Sequence, residues 1–543
     1  MAETLESLDA AVAHHHRDGL ARTGTLCRQI LRIDSAPDSV AVAHSKQGKL
    51  LRQRGLFCQA LAEFRQARKL NPGDADTHYH LGLTYRDLGE TVDEITCYER
   101  ALEISPGYVE ACNNLGVALQ KVGRDDEAIE RLRQAVRLRP ESAWVHYNLG
   151  LALREQGRLI EAVDSYQQAI ERDPEFHEAH NNLGAAYQDL RKLGEAFDCF
   201  QAAIHIQPDF VDARFNIALI DLLRGNWDAG WNGYESRWMV DNEVREFSQP
   251  VWDGTPLAGR RILVYGEQGV GDEILFASCL PEVIEQAGHC VVECDRRLVP
   301  LFERSFARAH VIARSEHGRP PDPAATECDV QSAAGSLPRY LRRTIADFPA
   351  RQSYLKADKS RCRYWADRVA ELGSGRTVGI AWRGGKLAYV RRQRSTTLDQ
   401  WSPLWTVDGV QFVNLQYGNC RNELATLDRD CAVTVHNFDD ADPLTNLDDF
   451  AALLGAVDLV ISIDSATVHL AGALGTPVWT LLPLAADWRW MQERDDSPWY
   501  RSMRLFRKAA CGRWEDLFQQ VARELKRWSA EQNRTNKQQN AAG

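Results

Sequence analysis

Small and apolar residues recur along the first 240 residues with a step of 34. Gly48, Gly82, Gly116, Gly150 and Gly184 hold one column, and Pro72, Pro106, Pro140, Pro174 and Pro208 hold another. Between them run Ala60, Ala128, Ala162 and Ala196, a column interrupted by Glu94. Phe64, Tyr98, Leu132, Tyr166 and Phe200 follow, then Ala67, Ala101, Ala135, Ala169 and Ala203. The pattern predicts helical hairpins. Small residues let the two helices of a hairpin approach closely, the larger residue fills the space beside them, and proline, lacking an N–H, ends the second helix. One hairpin cannot bury its apolar face alone, so the units must stack into an α-α superhelix.

Past Trp238 the repeat stops. Residues 241–260, with Pro and Gly and no periodicity, read as a linker. Strand-like apolar runs at 262–265, 290–294, 377–382, 410–416, 432–438, 458–463 and 477–482 then alternate with helical stretches. Such alternation implies parallel sheets covered by helices, here two Rossmann-like α/β domains over 261–372 and 375–530. Ligands of such folds sit at the carboxyl ends of strands. The polar tail 531–543 is expected to be disordered.

The periodic columns resemble the tetratricopeptide repeat. Five units over 41–208 follow its pattern, and 7–40 and 211–240 look like degenerate flanking units, so 1–240 reads as one repeat array. A further column, Asn114, Asn148, Asn182 and Asn216, falls on the first helix of each hairpin. Asn is a mediocre helix former, by up to roughly 0.7 kcal/mol against Ala. Its amide carries the donor and acceptor that a peptide backbone presents. The column either grips an extended acceptor chain or bridges neighbouring repeats.

Composition narrows the function. A net charge of −11 argues against a nucleic-acid binder. There is no apolar run near 18 residues and no signal-type leader, so the expectation is a cytoplasmic protein without a transmembrane segment. The 13 scattered cysteines, with no C-x-x-C pair, read as buried thiols in a reducing compartment. His14, His15 and His16 sit in a helical stretch and make a weak metal candidate.

Two stretches carry chemistry. Gly266, Gly269 and Gly271 follow the strand 262–265 and precede a helix. The dinucleotide fingerprint fails there, because the position of its last glycine is Ile274. Asp272 and Glu273 at the helix start disfavour phosphate. The corner therefore suits a catalytic carboxylate, Asp272, acting as a general base. The second stretch is the strand 459–463 running into Asp464, Ser465, Ala466 and Thr467 and then a helix bearing His469. Its N-terminal N–H groups and hydroxyls form an anion site. A basic loop with Arg383, Lys386, Arg391, Arg392 and Arg394 offers charge for a diphosphate without a metal.

The C-terminal half resembles the heptosyltransferase-type (family 9) inverting glycosyltransferases of the GT-B fold. The resemblance rests on the Gly271-Asp272 turn, the GIAWRGG strand and loop at 379–385, the strand ending in Leu415-Gln416, and the D-S/T-x-x-x-H-x-A-x-A-L-G-x-P motif at 464–477. It implies Asp272 as catalytic base. It implies that Ser465, Ala466, Thr467 and His469 face the diphosphate of a nucleotide-sugar donor, with Asp464 near the sugar and Gln416, Arg383 and Arg394 as further donor contacts. Neither metal nor cofactor is expected. The layout is also similar to the protein O-linked N-acetylglucosamine transferases, whose Asn ladder grips acceptor peptide, and to repeat-plus-transferase enzymes that modify flagellin. A protein or peptide acceptor is thus expected. A glycan or lipid-linked saccharide acceptor, or a non-catalytic scaffold with a decayed transferase half, are the competing readings.

Overall fold

The structure is a computed structural model that describes residues 37–240, 245, 247–315, 323–385, 388–431, 433–509 and 512–542. The triplet His14–His16, Lys386 and nearly all of the expected first flanking unit lie outside the described residues. The chain divides into two compact units, Met1–Ala186 and Tyr187–Gly543.

The first unit is built of paired helices, Pro37–Gln53 with Phe57–Leu70, Ala75–Leu88 with Thr91–Ile104, Val109–Lys121 with Asp125–Leu138, and Ala143–Glu155 with Leu159–Arg172. The column logic is visible in the packing. A Cβ added at Gly82 would lie 2.4 Å from the Tyr98 ring, and one at Gly150 would lie 2.6 Å from Tyr166. The glycine column is therefore where the large-residue column lands. Tyr98 and Tyr166 are fully buried as a result.

The second unit opens with the remaining repeat helices, among them Leu193–Ile206, α1 (Val211–Arg224) and α2 (Trp227–Tyr234). These belong to the α/β body, and the divide falls at Ala186/Tyr187 rather than at the expected 240. The reason is aromatic. Trp231, 1% exposed, donates Nε1–H to the Arg342 carbonyl at 2.9 Å and meets Trp488 edge-on at 5.3 Å. Arg237, also 1% exposed, forks onto Glu267 at 2.9 and 2.8 Å and donates to Ser336 at 2.8 Å. Its guanidinium lies 4.3 Å from the Trp238 ring centre. The expected linker also contributes to the fold. Trp252 N–H donates to the Gln331 carbonyl at 2.7 Å, and Gln331 N–H donates to the Pro250 carbonyl at 3.0 Å.

The first sheet holds β1 (Arg261–Tyr265), β2 (His289–Cys294), β3 (His310–Ala313) and β4 (Val330–Ala333) in the order β3-β2-β1-β4. The second holds β5 (Arg376–Ala381), β6 (Val410–Asn414), β7 (Val435–His436), β8 (Leu459–Ile463), β9 (Val478–Leu482) and β10 (Met503–Arg507) in the order β10-β9-β8-β5-β6-β7. Every pairing between strands is parallel. A short helix α3 (Val270–Phe276) follows β1, and α4 (Ala466–Leu474) follows β8. Both helices start at the carboxyl ends of their strands, where open α/β sheets bind ligands. The last helix, α5 (Trp514–Ala542), runs through the tail expected to be disordered. The stretch has no Pro or Gly and is rich in Gln, Glu, Lys and Ala, so nothing stops a helix once begun.

Arg237 is the test of the joint between α2 and the α/β body. Arg237→Met leaves Glu267 buried without its partner and is expected to remove about 3–5 kcal/mol. Urea unfolding followed by tryptophan fluorescence reads this, and a loss below about 1 kcal/mol would contradict the assignment.

Candidate functional site

The corner after β1 has a role for each of its glycines. A Cβ at Gly266 would lie 2.7 Å from the carboxyl carbon of Glu273, so this glycine makes room for a buried acid. Glu273 accepts a hydrogen bond from Asp295 N–H at 2.7 Å and pairs with Arg314. Burial pushes its carboxyl up to about 7, with Arg314 acting against the shift. Gly269 precedes the first turn of α3, and its N–H donates to Asp272 Oδ2 at 3.2 Å. A Cβ at Gly271 would meet His469 Cδ2 at 3.3 Å and Ala466 Cα at 3.5 Å. The third glycine is therefore where α3 touches α4.

At the start of α4, Ser465 occupies the N-cap but makes no capping hydrogen bond, and its Oγ instead lies 3.3 Å from Ser462 Oγ. The first N–H groups of the helix are left to an external acceptor. Asp464 and His469 are almost fully buried. The His469 ring stacks on Trp490, with centres 5.1 Å apart, and its Nδ1 pairs with the Tyr500 hydroxyl at 2.9 Å. Burial pushes the imidazole down to about 4, with Asp464 opposing. At neutral pH the ring is uncharged, and Nε2 is the nitrogen that Tyr500 leaves unused.

These elements line one cleft of about 620 Å³, with Asp272 on one wall and Asp464, Ser465, Ala466, Thr467 and His469 on the other. Arg394 joins them from the end of a short helix, Ala388–Arg394, which forms where a basic loop was expected. An alternating chain of charge crosses the cleft. Asp272 pairs with Arg489, and Arg489 with Asp487 at 2.6 Å. Asp487 pairs with Arg394 at 3.2 Å, and Arg394 with Asp464 at 3.0 Å. Burial alone would raise the Asp487 carboxyl. The two flanking guanidinium groups outweigh it and hold the group well below the usual range.

Sequence reasoning missed Asp487, Arg489, Trp490 and Tyr500. The signal was present as a stretch after β9 dense in Trp, Arg and Asp, from Asp487 to Tyr500. Among the described residues, no three His, Cys, Asp or Glu side chains are grouped to hold a metal ion.

Two expected donor contacts, Gln416 and Arg383, are not among the residues lining this cleft. Gln416 is buried, and its Oε1 accepts from the N–H groups of Trp382 and Arg383 at 2.9 and 2.7 Å. Its amide nitrogen donates to the Arg383 carbonyl at 3.1 Å. Gln416 therefore fixes the loop after β5, and it lines a neighbouring pocket with Asn414 and Arg421. Arg383 is held by Glu423 at 2.9 Å and also stands outside the lining. The Asn column bridges neighbouring repeats. Asn114 donates to the Tyr79 hydroxyl at 3.1 Å, Asn148 to Asn113 Oδ1 at 2.8 Å, and Asn182 to the Tyr147 hydroxyl at 3.0 Å. One N–H of each of these three amides is taken by the preceding repeat, and Asn182 also donates to the Glu178 carbonyl of its own helix at 3.0 Å. Asn216 lies on α1, in the second compact unit.

Residues 45–109, 121–157, 150–190 and 177–210 match tetratricopeptide repeat families. Residues 421–492 match glycosyltransferase family 9 (heptosyltransferase), a span that includes α4, Asp487 and Arg489. The chain thus joins tetratricopeptide repeats to a heptosyltransferase-type glycosyltransferase segment. Protein FlbA of Caulobacter vibrioides is 36% identical over 331 residues, 58% of this chain and 55% of FlbA. The chain therefore spans about half the length of that relative. Among solved structures, MamA from Desulfovibrio magneticus RS-1 is 22% identical with a TM-score of 0.30, covering 31% of this chain and 96% of MamA. PilF of Pseudomonas aeruginosa is 20% identical with a TM-score of 0.35, covering 38% of this chain and 95% of PilF.

His469 gives a pH test. Its ring takes a proton near 6.5 in the unfolded chain and only near 4 when folded. The unfolded state therefore binds more protons between these values, so stability falls as pH drops from 6.5 towards 4 and is flat above. At pH 5 the loss from this group is about 2 kcal/mol. Glu273, shifted up, acts with the opposite sign over an overlapping range. The difference between parent and His469→Gln therefore isolates the histidine. Urea unfolding at pH 7 and pH 5 should show the variant losing less stability on acidification, and parallel losses would contradict the burial argument.

Proposed function

We propose that the protein is an inverting glycosyltransferase of the GT-B type that moves a sugar from a nucleotide-sugar donor to an acceptor hydroxyl. One observation supports this above the rest. Asp272 and the uncapped start of α4 are opposite walls of a single cleft, so an acid stands across from an anion site. In the proposed reaction Asp272 takes the proton of the acceptor hydroxyl as its oxygen attacks the anomeric carbon. The bond from that carbon to the nucleoside diphosphate breaks in line, with inversion. The departing charge is met by the N–H groups of Ala466 and Thr467, by His469 and by Arg394. The reaction so written needs no metal ion.

The acceptor we propose is a protein or peptide presented by the repeats, as in flagellin-type modification, because tetratricopeptide repeats serve protein–protein interaction. A second reading has its own support. The amides of Asn114, Asn148 and Asn182 are engaged between repeats. This favours repeats that recruit a partner while the transferase acts on a glycan or lipid-linked saccharide.

A thermal-shift screen of the full chain against nucleotide sugars should identify the donor, since a ligand at a hundredfold its Kd stabilises by about 2.7 kcal/mol. With that donor, Asp272→Asn should lower transfer by about 10²–10⁴-fold while the thermal shift by the nucleotide persists. Unchanged turnover in this variant would refute Asp272 as the base.

A further inference from the structure

Arg489 stands between the two halves of the proposed chemistry. One of its terminal nitrogens meets Asp272, the other meets Asp487 Oδ1, and the side chain is 13% exposed. With both nitrogens occupied, Asp272 is an unavailable base, since a guanidinium seated on its carboxylate occupies the oxygen and blocks the approach of an acceptor hydroxyl. The arginine's two holds differ. Asp487 is braced by its own neighbourhood, accepting Arg489 N–H at 3.2 Å and pairing with Arg394 at 3.2 Å. Asp272 comes from the other wall, and its second oxygen is held by Gly269 N–H at 3.2 Å. Of the two acids, Asp487 is the one paired with a second guanidinium as well, that of Arg394.

We propose that Arg489 is a catalytic residue with two positions, held on Asp272 in the empty cleft and transferred to the donor's diphosphate when the donor binds. This rests on the glycosyltransferase reading above and deepens it. Donor binding then does two things at once. It places a forked cation on the oxygen that will leave, and it frees the carboxylate that must accept a proton. In the reaction, the acceptor oxygen bonds to the anomeric carbon and its proton passes to Asp272. The electron pair of the broken bond stays on the diphosphate, where Arg489 meets it. The order is imposed by charge: donor first, acceptor second. An acceptor arriving early would find the base already paired.

Inorganic pyrophosphate, the element common to nucleoside diphosphates, tests the exchange without knowledge of the sugar. Its affinity for the full chain is measured by calorimetry in the parent, Asp272→Asn, Arg489→Gln and the double variant. If Asp272 competes with phosphate for Arg489, Asp272→Asn tightens binding by about tenfold and Arg489→Gln weakens it by about tenfold or more. In the Arg489→Gln background the Asp272→Asn gain should then vanish. A gain of equal size in both backgrounds would mean simple charge relief and would overturn the proposal. So would the absence of any gain. If Arg489→Gln fails to fold, Arg489→Lys takes its place, keeping the charge and losing the fork. No pyrophosphate binding by the folded parent would refute the donor site itself, an outcome distinct from binding without coupling.

Discussion

The whole cleft depends on the contact at Gly271. Two helices, α3 and α4, meet there by their N-termini, close enough that a single methyl group would press on His469 and touch Ala466. Helix N-termini carry partial positive charge, so bringing two together is unfavourable unless negative charge is supplied. The chain supplies it locally, with Asp272 and Glu273 in the first turn of α3 and Asp464 immediately before Ser465. The apposition thus explains why acids crowd a site that is read as binding an anion. They offset the positive ends of the two helices in the empty cleft, and arginines pair with each of them.

The same principle governs the buried acids around it. Glu267 beneath the corner is matched by Arg237, Glu273 by Arg314, and Asp449 farther off by Arg361 at 2.5 Å. Isolated burial of any one would push its carboxyl towards the neutral form. At Glu267 and Glu273 burial prevails over the partner, and Glu273 becomes a group that titrates near neutrality under a rigid corner. Asp487, flanked by two guanidiniums, is the instance where pairing prevails.

The parts of the structure legible in the sequence were those with a strong local signal. A 34-residue register held over five units leaves little room for another architecture, and the Gly82–Tyr98 approach is its physical content. Strands such as Leu459–Ile463 were visible as unbroken apolar runs, whereas β3, β4 and β10 are short or carry Gln, Ser and Arg. Within the site, Asp272 and 464–469 each lie on a strand–turn–helix corner and announce themselves. Arg489 does not, because its meaning comes from a partner 217 residues away. The Asn column was ambiguous for a different reason: one amide serves a groove or a seam equally well. What decides is the residue one repeat and one position upstream, Tyr79, Asn113 or Tyr147. Gln416 is ambiguous in the same way, since a carboxamide at a strand end can organise backbone as readily as it can touch a ligand.

The aromatic joint between α2 and the α/β body bears on how such a chain arises in evolution. Trp227, Trp231, Tyr234 and Arg237 are repeat residues by position and core residues by burial. A recombination event that exchanged repeat arrays at residue 240 would strip the transferase of part of its own interior. Arrays can be lengthened, shortened or swapped only on the amino-terminal side of these helices. The last repeat is thus inherited with the transferase half, as part of its interior.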